Sequence, residues 1–218
     1  MKRLFAVLPA LLLAACAGEM PSHSPATAHH AFGNAEQWAA VFDDPARDDW
    51  QRPGEIIRAL AIKPGTKVAD IGAGTGYFSA RIAQQYPGTR VFAADVEPAM
   101  VRYLAERAAR ESLPSMVPVL AKNDAPGLPA KVDLVLMVDT YHHIEDRVRY
   151  FASLKGLLEP GARIAVVDFR PESPLGPPRH TRMAPERVIG ELAEAGNALV
   201  ARHDFLPRQY FLVFQSKM

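Results

Sequence analysis

From Phe32 onward the chain alternates two kinds of hydrophobic pattern. Short runs rich in Val, Ile and Ala read as strands: Lys67–Ile71, Arg90–Asp95, Met116–Ala121, Val132–Val138, Arg163–Asp168, Leu199–Asp204 and Tyr210–Gln215. Between and before them lie amphipathic stretches that read as helices: Ala35–Phe42, Gly54–Leu60, Tyr77–Tyr86, Pro98–Glu111, Arg147–Leu158 and Pro185–Ala195. Pro53, Pro98 and Pro185 sit where a first-turn proline is tolerated, because its missing N–H has no helical partner there anyway. Gly161 and Gly196 mark turns before strands, and Lys63-Pro64-Gly65 is a stop followed by a turn. Strand–helix alternation over this length predicts one doubly wound α/β domain with a mainly parallel sheet spanning residues 32–218.

The first residues break the pattern. Met1-Lys2-Arg3 is cationic, and the twelve residues Leu4 to Ala15 are apolar apart from Pro9. As a helix they would rise about 18 Å, too short for a hydrocarbon core of about 30 Å. Residues 1–15 therefore read as a secretory leader. Leu13-Ala14-Ala15-Cys16 resembles the lipobox of bacterial lipoproteins, which implies cleavage before Cys16, lipidation of its thiol and anchoring to a membrane. Ala17, where Asp would direct retention, implies a periplasm-facing lipoprotein of the outer membrane. Residues 16–31 are small, polar and interrupted by Pro21 and Pro25, a flexible tether. Its histidines, His23, His29 and His30, have no neighbouring acid or thiol to complete a metal site.

Charge removes other classes. With 25 Lys+Arg against 24 Asp+Glu there is no basic field for nucleic acid. Loss of the leader takes away two cations and leaves 23 against 24. The single cysteine excludes an internal disulfide and any cysteine-rich metal centre.

Chemistry concentrates after the first strand, at Asp70-Ile71-Gly72-Ala73-Gly74-Thr75-Gly76. Alternate glycines permit positive φ and let a ligand approach the backbone at a helix N-terminus. Asp95 ends the next strand, nineteen residues past Gly76, where a carboxylate can take both hydroxyls of a ribose. The spacing is G-x-G-x-G, not the dinucleotide G-x-G-x-x-G, and an acid at the loop disfavours a pyrophosphate. A nicotinamide-linked oxidoreductase is accordingly disfavoured. Asp70 suits a cationic ligand, or else caps the loop.

These residues are similar to those of class I S-adenosylmethionine-dependent methyltransferases. The likeness covers residues 67–169. It rests on Asp70, Gly72, Gly74, Gly76 and Asp95, on Asn123-Asp124-Ala125 after the third strand, and on Val132 to His143 with Asp139 at the end of the fourth. It implies a Rossmann-like, seven-stranded sheet with an antiparallel last strand. It also implies S-adenosylmethionine as cofactor, held by Asp70, Gly72, Gly74, Gly76, Asp95, Asp124 and Asp139, and a small-molecule acceptor. Asp124 would meet the adenine or cap a turn before Pro126, and Tyr77 and Phe78 would pack.

Candidates for a general base follow the fourth and fifth strands: Asp139, Tyr141, His142, His143 and Asp168. Adjacent histidines point in different directions, so at most one faces the acceptor; His142 is preferred, with local hydrogen bonding the alternative role. The proline-rich loop 170–182 would border the acceptor, and Arg170, Arg179, His180 and Arg182 suit an anionic one or form a solvated basic loop. No metal site is expected. Two functions stay open: a membrane-anchored methyltransferase, and a binding lipoprotein that keeps the fold without transferring methyl.

Overall fold

The computed structural model describes residues 34–216. The leader, Cys16 and the tether lie outside the described residues, as do positions 32, 33, 217 and 218.

Seven strands form one sheet: β1 (Lys67–Ile71), β2 (Arg90–Asp95), β3 (Met116–Leu120), β4 (Val132–Val138), β5 (Leu158–Phe169), β6 (Asn197–His203) and β7 (Gln209–Ser216). Their spatial order is β3-β2-β1-β4-β5-β7-β6. β1 to β5 pair parallel, and β7 runs antiparallel to both β5 and β6. This is the doubly wound architecture expected from the alternation, with the antiparallel last strand that the resemblance implies.

Both faces of the sheet are covered, so its central strands read as apolar runs rather than strict alternation, with Asp70 the buried acid on β1. On β4, Val135 and Met137 enter one core with α6 (Arg147–Ser153) and α7 (Pro185–Glu194). Leu134, Leu136 and Val138 enter the other, with α3 (Pro53–Ala59), α4 (Tyr77–Gln85) and α5 (Pro98–Arg110). Fully buried Ile56, Ile82, Leu104 and Phe151 anchor these helices. Each such side chain contributes about 1.5–3 kcal/mol by leaving water. The strand order reverses between β1 and β4, which opens the crevice of the fold beyond their carboxyl ends.

Three local features depart from the sequence expectation. The helix predicted to end at Leu158 stops at Ser153, continues as a 3₁₀ turn over Leu154–Leu157, and β5 starts five residues early. Val132 faces Leu158 while Leu134 faces Arg163, so the Pro160-Gly161 segment is accommodated as an irregular bulge. Before α3 there are two helices, α1 (Ala35–Phe42), as expected, and α2 (Arg47–Gln51), which is too short and polar to show periodicity. Arg52, in left-handed conformation at φ 49°, joins α2 to α3.

Candidate active site

The crevice is built on the turn between β1 and α4. Gly72, Gly74 and Gly76 all have positive φ, at 74°, 55° and 86°. Gly72 also needs its missing side chain, because a Cβ there would lie 2.3 Å from Thr140 Oγ1. The loop is tied to β2: the N–H groups of Gly72 and Ala73 both donate to Ala94 O, at 2.8 and 3.0 Å.

Asp95 stands at the mouth of this loop. Its Oδ2 accepts the Gly74 N–H at 2.8 Å and its Oδ1 accepts the Glu97 N–H at 3.0 Å. Burial pushes its carboxyl up, and the N–H groups of Glu97, Gly74 and Val96 hold it back. Each carboxylate oxygen keeps a second lone pair for a ligand hydroxyl. Val96 and Leu120, the latter opposite Asp95 in the β2–β3 register, are 44% and 55% exposed. Both are exposed apolar side chains next to the carboxylate, one following it along the chain and one opposite it on β3. Sequence reasoning did not select either residue, because an exposed aliphatic at a strand end carries no motif. Asp124 lies on an exposed turn after β3, closed by the Lys122–Ala125 bridge.

Asp70 differs from the entrance acid expected of it. It is 3% exposed and accepts the Ser79 hydroxyl at 2.6 Å, so it supports the loop from the α4 side beneath it. The cause is strand alternation: Asp70 shares the α4-facing side of β1 with Val68. Burial pushes it up to about 6.

Two residues that the sequence did not single out converge with Asp139, which sits at the end of β4 with φ 54°. Gln51 Nε2 donates to its Oδ2 at 3.0 Å, and Gln209 Nε2 donates to its Oδ1. Arg47 Nη2 lies 3.5 Å away. Burial, with Asp168 nearby, lifts Asp139 to about 6. Both Arg47 and Gln51 belong to α2, so the N-terminal segment crosses the crevice. Asp43 at the end of α1 accepts from Thr75 Oγ1 at 3.2 Å and pairs with Arg107 at 3.0 Å. Phe42 is 3.5 Å from where a Gly74 Cβ would stand.

The acceptor side contains an imidazole–carboxylate pair. His142 Nδ1 is 2.9 and 3.1 Å from the two oxygens of Asp168, and both side chains are almost fully buried. Burial alone would lower the His142 pKa; the Asp168 charge and hydrogen bond outweigh it and raise it. With Nδ1–H given to Asp168, Nε2 is the nitrogen left to accept a proton. His143 is exposed, with its ring 4.1 Å from that of His142. Tyr141 is removed from this chemistry: it is fully buried against Phe151, and its hydroxyl donates to Glu191 at 2.6 Å.

The proline-rich loop is held from within. Arg182 donates to the carbonyls of Pro177, Pro171 and Ser173, so its guanidinium is a brace and not an anion receptor. Arg170 lies 3.7 Å from Asp204, while Arg179 and His180 are exposed on a 3₁₀ turn. Gly176 lies flat on the Phe169 ring, and Trp50 of α2 contacts that ring at 5.6 Å between centroids.

Strand order, glycine cradle and the carboxylate at its mouth together define the class I methyltransferase fold. Comparison with known proteins agrees. Residues 69–164 match the family model described as "Methyltransferase domain". The chain is 30% identical over 137 residues to malonyl-[acyl-carrier protein] O-methyltransferase 1 of Ilyobacter polytropus, covering 62% of this chain and 50% of that one. It is 32% identical over 117 residues to protein-L-isoaspartate O-methyltransferase of Aeropyrum pernix, covering 52% and 42%. It thus spans about half the length of the curated relatives it matches. Among solved structures, a SAM-dependent methyltransferase of Aquifex aeolicus superposes with a TM-score of 0.77 at 22% identity, covering 83% of this chain and 98% of that one. Magnesium protoporphyrin IX methyltransferase of Synechocystis, solved with bound SAH, superposes with a TM-score of 0.65 at 18% identity, covering 86% and 95%. The family match implies S-adenosylmethionine as the cofactor, and the site fits it: a tight loop of positive-φ glycines with a carboxylate at its mouth for the ribose.

Proposed function

We propose that this chain is an S-adenosylmethionine-dependent methyltransferase acting on a small-molecule acceptor. The observation that carries the reading is Asp95 at the mouth of the Gly72–Gly76 loop, with exposed Val96 and Leu120 beside it. When bound, S-adenosylmethionine supplies an electrophilic methyl group on a positively charged sulfur. The protein's own part is to hold that methyl and the acceptor in line and to exclude water. Gly72 and Gly74 set the ligand against the backbone, and Asp95 fixes the ribose. His142, oriented by Asp168, takes the acceptor's proton on Nε2. The exposed Arg179 and His180 on the loop after β5 would suit an anionic acceptor if that loop borders the acceptor.

A second reading is a binding protein that keeps the fold without transferring methyl. One observation favours it: Phe42, Arg47 and Gln51 already lie across the crevice. Incubation with a methyl-labelled donor over a panel of small anionic and neutral acceptors separates the two. Labelled product that disappears in His142→Ala supports the enzyme. Tight ligand binding with no product across the panel favours the second reading.

We also propose, from the leader alone, that the protein is a lipoprotein of the bacterial cell envelope anchored through Cys16. No helix among the described residues is long and apolar enough to cross a membrane; the anchor proposed from the leader is the lipid on Cys16. Cys16→Ser should abolish both the lipid mass and membrane fractionation. A wild-type chain that shows neither contradicts this reading.

A further inference from the structure

His142 sits on a single 3₁₀ turn, Tyr141–His143, whose own backbone bonds are one of 2.9 Å and one of 3.3 Å. Other elements fasten that turn. From the sheet, Asp168 accepts the His142 ring Nδ1 at 2.9 Å and its backbone N–H at 3.3 Å. From the helices, Glu191 of α7 takes hold of the residue before it: the Tyr141 hydroxyl donates to Glu191 Oε2 at 2.6 Å. The same carboxylate accepts a forked pair from Arg147 of α6, Nε at 2.7 Å and Nη2 at 3.3 Å. Arg147 in turn donates from Nη1 to the carbonyl of Ile144, the residue that ends the turn, at 2.6 Å. Glu191 therefore reaches both ends of the segment that carries His142, one directly and one through Arg147.

These partners are largely out of water. Tyr141 is fully buried, and the Arg147 and Glu191 side chains are 15% and 17% exposed, so each depends on the others for its pairing. Arg187 also donates to Glu191, at 2.9 Å, but it is 63% exposed and belongs to the same helix, so it adds little. We propose that Glu191 is a positioning residue: through Tyr141 and Arg147 it fixes the turn so that the His142 imidazole stays seated on Asp168, with Nε2 left to take the acceptor's proton. The proton transfer rests on the methyltransferase reading; the seating of the ring does not. Tyr141 thus enters the reaction through the place it gives to His142 and not as a base.

NMR titration of the His142 ring in the full chain tests the inference. Burial lowers the pKa of this ring, Asp168 and Asp139 raise it and Arg147 lowers it, with a net rise. A ring that slips from Asp168 loses the largest of the raising effects. Tyr141→Phe changes no charge and keeps the ring that stacks on Phe151, so it alters only the hold on the turn. The midpoint should fall by about 0.3 pH unit or more, a fraction of one neutral hydrogen bond. Glu191→Gln should lower it further, because the forked pair with Arg147 is disturbed as well. Arg187→Ala, which frees one oxygen of the same carboxylate without altering Tyr141 or Arg147, should leave it unmoved. With a methyl donor and acceptor, Tyr141→Phe should lower kcat about threefold or more and keep KM for S-adenosylmethionine within about twofold. A Tyr141→Phe chain whose Tm falls while the midpoint stays marks a merely structural tie and overturns the inference, as does a kcat that ignores a lowered midpoint. A wild-type chain that yields no methylated product refutes the methyltransferase reading instead, and the titration alone then decides the seating of the ring.

Discussion

At the scale of single residues, the site is governed by what burial does to charge. His142 gains its proton affinity from Asp168 against the opposing effect of desolvation. A ring held this way titrates above the ordinary 6.5 and serves as a base only once the pH has passed that point. NMR titration of His142 should therefore give a midpoint above 6.5, and Asp168→Asn should shift it downward; an unmoved midpoint contradicts the pairing. Gly72 makes a second, steric prediction. Alanine there meets an unfavourable φ and the Thr140 side chain, at a cost of at least ~2 kcal/mol in chemical denaturation. Thr140→Ala should relieve only part of it, because the Thr140 Cβ itself is 2.9 Å from the added atom.

At the scale of elements, legibility in the sequence depended on how local the determinant is. The glycine loop and the place of Asp95 beside it were readable because a turn of this kind needs glycine within the segment itself, and an acid ending the next strand comes to its mouth. α2 was not readable: Arg47-Asp48-Asp49-Trp50-Gln51 has no apolar period, and its place is set by Gln209 and Asp139, about ninety or more positions away. Asp70 was read to the right loop with its side chain on the wrong side, since Ser79 is what claims it. Arg182 reads in sequence as a cation for an anionic acceptor or for solvent, because the loop carbonyls that take its donors carry no sequence signature. Two elements can be loosened selectively. Arg107→Ala removes the ties of α5 to Asp43 and Thr75, so hydrogen exchange should accelerate over residues 35–43 with little change in β4. Arg182→Ala should do the same over 171–177; unchanged exchange there contradicts its role as a brace.

For the whole molecule, the buried acids set a direction for stability against pH. Asp70 rises from the ordinary 3.8 to about 6 on folding, so the native state holds its proton longer than the unfolded chain does. Its contribution is complete below pH 3.8 and is lost as pH rises through about 6, by up to about 3 kcal/mol. Asp139 and His142, also raised, act in the same direction. Denaturation between pH 4 and 7 should show this decline, and Asp70→Asn should flatten it, because the amide still accepts from Ser79 and never ionises. A wild-type curve that climbs over this range contradicts the burial of Asp70.

Under the proposed function, the sheet order, the two cores and the loop serve one end, a crevice that admits a nucleoside for Asp95 to hold. Titration of S-adenosylmethionine into the wild-type chain and into Asp95→Ala tests this most directly. Saturable one-to-one binding, weakened by about tenfold or more in the variant, is the predicted result. Absence of binding, or binding indifferent to Asp95, would contradict the account.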